Sequence, residues 1–236
     1  MAPPIMTPDE LQARVLYRDG LVLIIDKPAG IPVHQGPGGG PNLEQGFDAL
    51  RFGFPKPPAL AHRLDRDTAG CLVLGRHPKA LRRLGKLFSE GRAAKTYWAV
   101  TVGVPAEPQG RIEAPLLKIS TRRDGWRMVV DETGQSAVTD YKVLGQADGL
   151  AWLELTPHTG RTHQIRVHCA TALGCPLLGD PQYATVESDR PGAPMHLLSR
   201  AISLPLYPKR DPVGAVAPVP PHMAAALDKC GFTTEG

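Results

Sequence analysis

Fifty of the 236 residues are glycine or proline, 25 of each. That density limits every element the chain can form. Proline fixes φ and removes a backbone donor, while glycine loses the most conformational entropy on ordering, so both collect at turns. A chain punctuated this often builds short elements joined by many turns. No three-residue period runs through it, which excludes a collagen-like rod. Hydrophobic residues make 42% and charged residues 21%, ordinary globular usage, so a wholly disordered chain is excluded too. A chain of this length forms one large domain or two small ones and needs no disulfide or metal to fold.

The longest apolar runs are short, such as Leu21-Val22-Leu23-Ile24-Ile25. None approaches the ~18 residues of a membrane-spanning helix. The N-terminal MAPPIMTPDELQ has neither a basic start nor an apolar run and does not read as a secretory signal. Cys71, Cys169, Cys175 and Cys230 include no CxxC pair. The expectation is a cytoplasmic protein with free thiols. His163, His168, Cys169 and Cys175 match no familiar ligand spacing, so no metal is expected.

Net charge is +4, but residues 61–100 alone hold nine Lys or Arg against three acids. A basic segment on a mildly acidic body fits a polyanion partner, nucleic acid first. The plain alternative is a solvated helix face.

Leu21–Ile25 and Cys71–Leu74 read as buried strands. Pro78–Phe88 reads as a helix, with Leu81, Leu84, Leu87 and Phe88 on one side and Arg82, Arg83 and Lys86 on the other. Pro78 suits its first turn and Gly91 its stop. A second helix is expected over Leu43–Arg51. Further strands are expected at Lys95–Val102, Trp126–Val130, Ala137–Leu144 and Leu150–Leu155. Their close spacing favours antiparallel pairing. A helix is expected over Thr162–Leu173, capped by Thr162 and ended by Gly174. Residues 205–221 hold six prolines and read as an extended tail packed along the body. Residues 1–15 form a lead-in, 16–222 the functional domain and 223–236 a C-terminal tail.

Three segments carry candidate chemistry. The first is HRLDRDTAG at 62–70, which packs a histidine, two arginines and two acids together. Nearby positive charge favours the carboxylate form of an acid, and a fixed carboxylate can act as a nucleophile or stabilise a cation. A turn with surface ion pairs is the bland alternative. The second is PHTGRTHQIRVH at 157–168, basic around a helix start. Such a helix end suits phosphate. Arg166 lies at the edge of an apolar stripe, where it needs an acidic partner; Asp65 is a candidate. The third is Lys95-Thr96-Tyr97, where strand alternation puts Tyr97 opposite Trp98. Two ordinary core aromatics would give the same pattern.

Five strings in order, from Tyr17 to Tyr183, resemble the RluA-type family of RNA pseudouridine synthases. They are Asp26-Lys27-Pro28-Ala29-Gly30 with Val33-His34; HRLDRDTAG; Lys95-Thr96-Tyr97; PHTGRTHQIRVH; and Leu178-Gly179-Asp180-Pro181 with Tyr183. The resemblance implies an α+β fold, with a bent, mainly antiparallel mixed sheet, flanking helices and a central catalytic cleft. It implies isomerisation of uridine in tRNA or large-subunit rRNA, with no cofactor. Asp65 matches the family's essential Asp, which attacks the ribose anomeric carbon or removes a proton to give a glycal. Arg166 matches the basic residue paired with that Asp, and Tyr97 the aromatic residue that stacks on the target base. Ile165 is expected in the base pocket. Arg63 matches the residue that fills the space left by the flipped base, with His62 supporting its loop. Arg66, Arg82, Arg83, Lys86, Arg161 and His163 are expected, with these two, to meet RNA.

Ala69 stands where the family usually has Ser, and Ser199-Arg200 where it has His-Ala. Many relatives carry a small RNA-binding domain ahead of the catalytic one. Only about 15 residues precede the first matching strand here, so RNA choice is expected to rest on the catalytic domain and on loops 35–42 and 184–194. A monomer is expected. The alternatives from other classes are a catalytically silent RNA-binding protein and a hydrolase using Asp65 and Asp67 as an acid pair placed on one side by alternation.

Overall fold

The computed structural model describes residues 6–36, 39–121, 125–184 and 193–233. The loops 35–42 and 184–194 therefore lie partly outside the described residues. In chain order the strands are β1 (Val15–Arg18), β2 (Val22–Lys27), β3 (Ala59–Leu60), β4 (Ala69–Gly75), β5 (Ala94–Val102) and β6 (Gln109–Glu113). They continue as β7 (Leu116–Thr121), β8 (Gly125–Val130), β9 (Val138–Ala147), β10 (Leu150–Pro157), β11 (Leu197–Leu204) and β12 (Val213–Val216). The α-helices are α1 (Pro8–Gln12), α2 (Pro78–Ser89), α3 (Gln164–Val167) and α4 (Pro221–Lys229). The chain divides into two compact units, residues 1–95 with 199–218 and residues 96–198 with 219–236.

The first unit holds the strand order β1-β2-β4-β11, with β3 also on β4 and β12 on β11. The β2–β4 pair is antiparallel, Val22 opposite Gly75 and Lys27 opposite Gly70. Both strands are buried along almost their whole length, so they read as continuous apolar runs rather than alternating ones. Helix α2 forms as its sequence predicts. Pro78 opens it, His77 caps it by accepting the Ala80 N–H at 3.3 Å, and Ala80, Leu84 and Leu87 are buried. Arg82, Arg83 and Lys86 stay exposed.

The second unit holds the order β5-β10-β9-β6 and the separate hairpin β7–β8. These strand pairs are antiparallel, with Tyr97 opposite Leu155 and Trp98 opposite Glu154. One face of β5 and β10 carries Ala99, Leu153 and Leu155 into a core with Ile112, Ile165, Cys169 and Leu197. The other face sets Trp98 edge-on to Trp152 and to Phe232, ring centroids 4.8 and 5.4 Å away.

Three expectations need correction. The helix expected over Thr162–Leu173 is only four α-helical residues, followed by a π-helical stretch at His168–Ala172. Thr162 does not cap it; the N-cap is His163, in the left-handed conformation at φ 53°. Buried polar anchors override the apolar stripe here. Gln164 donates to the Val138 carbonyl and accepts from Thr159, while the His168 ring bonds Thr139 and the Ala114 carbonyl. Gly174, at φ 64°, ends the segment as expected. Residues 205–221 are not simply an extended tail, since β12 pairs with β11 and the unforeseen α4 begins at Pro221. Leu43–Leu50 is helical but 3-10, packing Leu43, Phe47 and Leu50 inward.

Candidate active site

The HRLDRDTAG segment folds into a turn entering β4, closed by the Thr68 N–H donating to the Asp65 carbonyl at 3.2 Å. Asp65 is half-buried, while Arg63 and Arg66 are exposed. Beneath the turn lies Lys27, 0% exposed. Its ammonium donates to the carbonyls of Pro28, Arg66 and Thr68 at 2.8, 2.8 and 2.9 Å. An ammonium has three donors, and all three are used. Burial pulls its pKa down to about 7, against the opposing pull of the Asp67, Asp65 and Asp26 carboxylates. The Asp26-Lys27-Pro28-Ala29-Gly30 string thus has a mechanical role. It ends β2 with a cation that ties down the backbone on the far side of Asp65. Arg66 Nε adds a bond to the Gly30 carbonyl at 3.2 Å.

This turn removes the alternation on which the acid-pair reading of Asp65 and Asp67 rested, because the residues between them are not in a strand. Asp67 instead lies 3.8 Å from Arg66 Nε. His62 is anchored within its own unit. Its ring stacks on Phe88 at 4.6 Å and Nε2 accepts the Val73 N–H at 3.0 Å. Burial drives its pKa to about 3, so it is a neutral packing group that fixes the start of the loop. Ala69, in the usual Ser position, is buried as the first residue of β4.

In the second unit, Tyr97 lies on the core side of β5, opposite Trp98, packed against the cluster that contains Ile165. Both rings are held by packing, so the core-aromatic reading and a role at the base share one geometry. Ile165 is 6% exposed. Arg166, on α3, is 5% exposed. Its Nε and Nη2 each donate to Asp180 at 2.7 Å, a bidentate pair whose carboxylate also accepts the Gln182 and Tyr183 N–H groups. The guanidinium carbon stands 5.0 Å from the Tyr183 ring centroid. Within its own unit, the acid that holds Arg166 is Asp180. The pair fixes the guanidinium plane.

His163 bonds Tyr183 Oη through Nδ1 at 2.8 Å. Arg161 is exposed and donates from Nε to the Ser136 carbonyl at 3.0 Å. The first unit thus groups His62, Arg63, Asp65 and Arg66 around one turn, with Arg82, Arg83 and Lys86 on α2. The second groups Tyr97 with Ile165, and His163 with Arg166. Sequence reasoning gave no role to Lys27, Asp180, Tyr183, Gln164 or His168. Two signals were available. Lys27 follows an apolar strand run, and Asp180 is the first acid after Glu154. Among the described residues no group of three or more His, Cys, Asp or Glu could hold a metal, and no helix is long and apolar enough to cross a membrane.

The family model for RNA pseudouridylate synthase matches residues 21–171, which include Asp65, Tyr97 and Arg166. An uncharacterized RNA pseudouridine synthase of Zymomonas mobilis is 46% identical over 210 residues, covering 89% of this chain and 95% of that protein. The mitochondrial pseudouridylate synthase RPUSD4 of Xenopus tropicalis is 34% identical over 230 residues, covering 86% and 70%. Among solved structures, human RNA pseudouridylate synthase domain containing 4 superimposes with a TM-score of 0.80 at 29% identity, covering 97% of each chain. An α+β fold, the match over most of the chain and these relatives lead to one conclusion: the chain belongs to the RluA-type RNA pseudouridylate synthases, isomerases that act on RNA.

Proposed function

We propose that the chain converts specific uridines of a structured tRNA or of 23S rRNA to pseudouridine, with Asp65 as the essential carboxylate and with no cofactor. The target nucleotide leaves its stack, at a cost of a few kcal/mol, so that the sugar–base bond becomes reachable. Asp65 acts at the ribose anomeric carbon, by attack or by proton removal. The bond to ring nitrogen 1 breaks, the base turns, and the anomeric carbon bonds carbon 5. The proton of carbon 5 is lost and nitrogen 1 gains one, so mass is conserved. Tyr97 stacks on the base and Ile165 packs beside it. Arg166 supplies the fixed positive charge that the family pairs with its Asp. Arg63 takes the place of the flipped base, while Arg66, Arg82, Arg83, Lys86, Arg161 and His163 face the RNA.

The observation that carries this reading is the anchoring of the Asp65 turn by the three bonds of buried Lys27. A reacting carboxylate must be held to within about half an ångström of its productive position, and this turn is built for that.

The test is tritium release from RNA labelled at carbon 5 of uridine, run separately on bulk tRNA and unassembled 23S rRNA. Release by the wild type from one class, absent for Asp65→Asn, is the expected result. Equal release by Asp65→Asn would overturn the role of Asp65. Binding without release from either pool would favour the catalytically silent reading.

A further inference from the structure

Trp126 stands at the outer end of the β7–β8 hairpin, opposite Ser120, and is 41% exposed. Trp98 and Trp152 pack edge-on in the cluster with Phe232, so Trp126 is the tryptophan presented to solvent. Its placement is held from several directions. The Trp126 carbonyl accepts the Gln182 side-chain amide at 2.8 Å. Its ring leans on His163, with centroids 5.0 Å apart. His163 bonds Tyr183 Oη, which accepts the Met128 N–H at 3.0 Å, and the Tyr183 ring faces the Arg166 guanidinium. Trp126 is thus the outermost ring of a file that runs inward through His163 and Tyr183 to Arg166. Lys118 Nζ lies 4.8 Å from the Trp126 ring centroid, and Lys118 is exposed on the same face of the hairpin.

An exposed aromatic ring with cations beside it is the arrangement that binds single-stranded nucleic acid. The ring stacks on a base whatever its identity, and the cations meet phosphates. We infer that Trp126 is a stacking platform for an unpaired nucleotide of the RNA substrate other than the target uridine, with Lys118, on the same face of the hairpin, on an adjoining phosphate. This deepens the proposed function and rests on its RNA substrate. Lys118 is long and flexible, so it can leave the ring for a phosphate while a base takes its place. The packed His163 ring behind Trp126 keeps the platform at a fixed distance from the helix that carries Arg166.

The experiment uses the full chain and a twelve-nucleotide oligoadenylate as the probe, in low salt, followed by tryptophan fluorescence. Wild type, Trp126→Phe and Trp126→Leu are compared, each with its urea midpoint measured to confirm folding. The wild-type signal is expected to quench on titration, while the remaining signal of Trp126→Phe is not. Trp126→Leu is expected to bind roughly tenfold more weakly, and Trp126→Phe within about threefold of wild type, since a phenyl ring still stacks. The dependence of affinity on salt should be the same for all three, because the phosphate contacts remain.

Unquenched wild-type fluorescence together with unchanged binding by Trp126→Leu would overturn the inference and leave Trp126 as a contact for another class of partner. An equal loss in Trp126→Phe and Trp126→Leu would overturn it as well, since stacking would not be the cause. The readout is binding and needs no turnover. Quenching without tritium release would uphold the platform while the isomerase reading fails, and release without quenching would do the reverse.

Discussion

Replacing Lys27 by Met keeps the length of the side chain and removes the ammonium. Three carbonyls, those of Pro28, Arg66 and Thr68, lose their donor. A buried polar group left unsatisfied costs about 1–3 kcal/mol. Removing a buried charge returns part of that, because the ammonium no longer has to be desolvated. The net expectation is a loss of about 3 kcal/mol of unfolding free energy, the lower end for breaking a buried ionic contact. The deficit should also depend on pH. The folded pKa of Lys27, about 7, lies below its ordinary 10.5. Between those values the unfolded chain holds a proton that the native chain has released, so the contribution of Lys27 to stability rises with pH. Below pH 7 both states are protonated and the slope vanishes. Lys27→Met lacks this slope, so its deficit should widen from pH 7 to pH 9, by at most roughly 1.4 kcal/mol per pH unit. Urea unfolding at pH 6, 7, 8 and 9 measures this, and tritium release under folding conditions reports whether the Asp65 turn has slackened. A deficit under about 0.5 kcal/mol at pH 7, or one that narrows as pH rises, would refute the anchor.

Asp180→Asn keeps the shape of the acid but leaves the 5% exposed Arg166 without its bidentate partner. A loss of about 3 kcal/mol is expected in urea unfolding, and Asp180→Glu should not restore it, since the carboxylate must also accept the Gln182 and Tyr183 N–H groups. Gly145→Ala would drive a Cβ into the Cys230 carbonyl oxygen. The segment after α4 must then shift, costing about 1–3 kcal/mol and disturbing the Trp98–Trp152–Phe232 ring cluster, which near-ultraviolet circular dichroism reads directly.

Elements with strong local patterns were legible in the sequence. The amphipathic run at 78–89, bounded by Pro78 and Gly91, forms helix α2. The β-rich run Ala94–Val102 forms β5, with Tyr97 and Trp98 on opposite faces. Six strands went unseen among the described residues: β1, β3, β6, β7, β11 and β12. Most have weak patterns. β3 is two residues, and β6, read Gln-Gly-Arg-Ile-Glu, buries only Ile112. Such strands exist because a neighbour offers a ladder, which no local period records. Helix α3 fails for another reason. Its sequence has an apolar stripe, but Gln164 and His168 are buried polar anchors whose partners come from β9, from Thr159 just after β10 and from Ala114 between β6 and β7. The candidate site shows the same division. The strings at 62–70 and 157–168 carry the proposed site residues, while Lys27 and Asp180, which hold those strings, show no role in the sequence alone. A supporting residue is defined by what it touches, and its partners stand 39 residues away for Arg66 and 14 for Arg166.

Lys27 and Asp180 also explain why two stretches of otherwise apolar interior carry charge. A buried ion is weak evidence for stability, since well-packed apolar replacements of such pairs are often neutral or stabilising. What an ion gives that a leucine cannot is direction. The Lys27 ammonium meets three carbonyls that converge from β2 and from the Asp65 turn, so the turn can occupy one position relative to the strand. The Asp180 carboxylate meets a guanidinium edge and two backbone N–H groups, so the Arg166 plane is fixed by the same residue that shapes the turn before Tyr183. In both places the buried polar group belongs to the support, and it acts on a residue of the proposed site. Each support therefore sets the location of its partner, which apolar packing would leave unspecified.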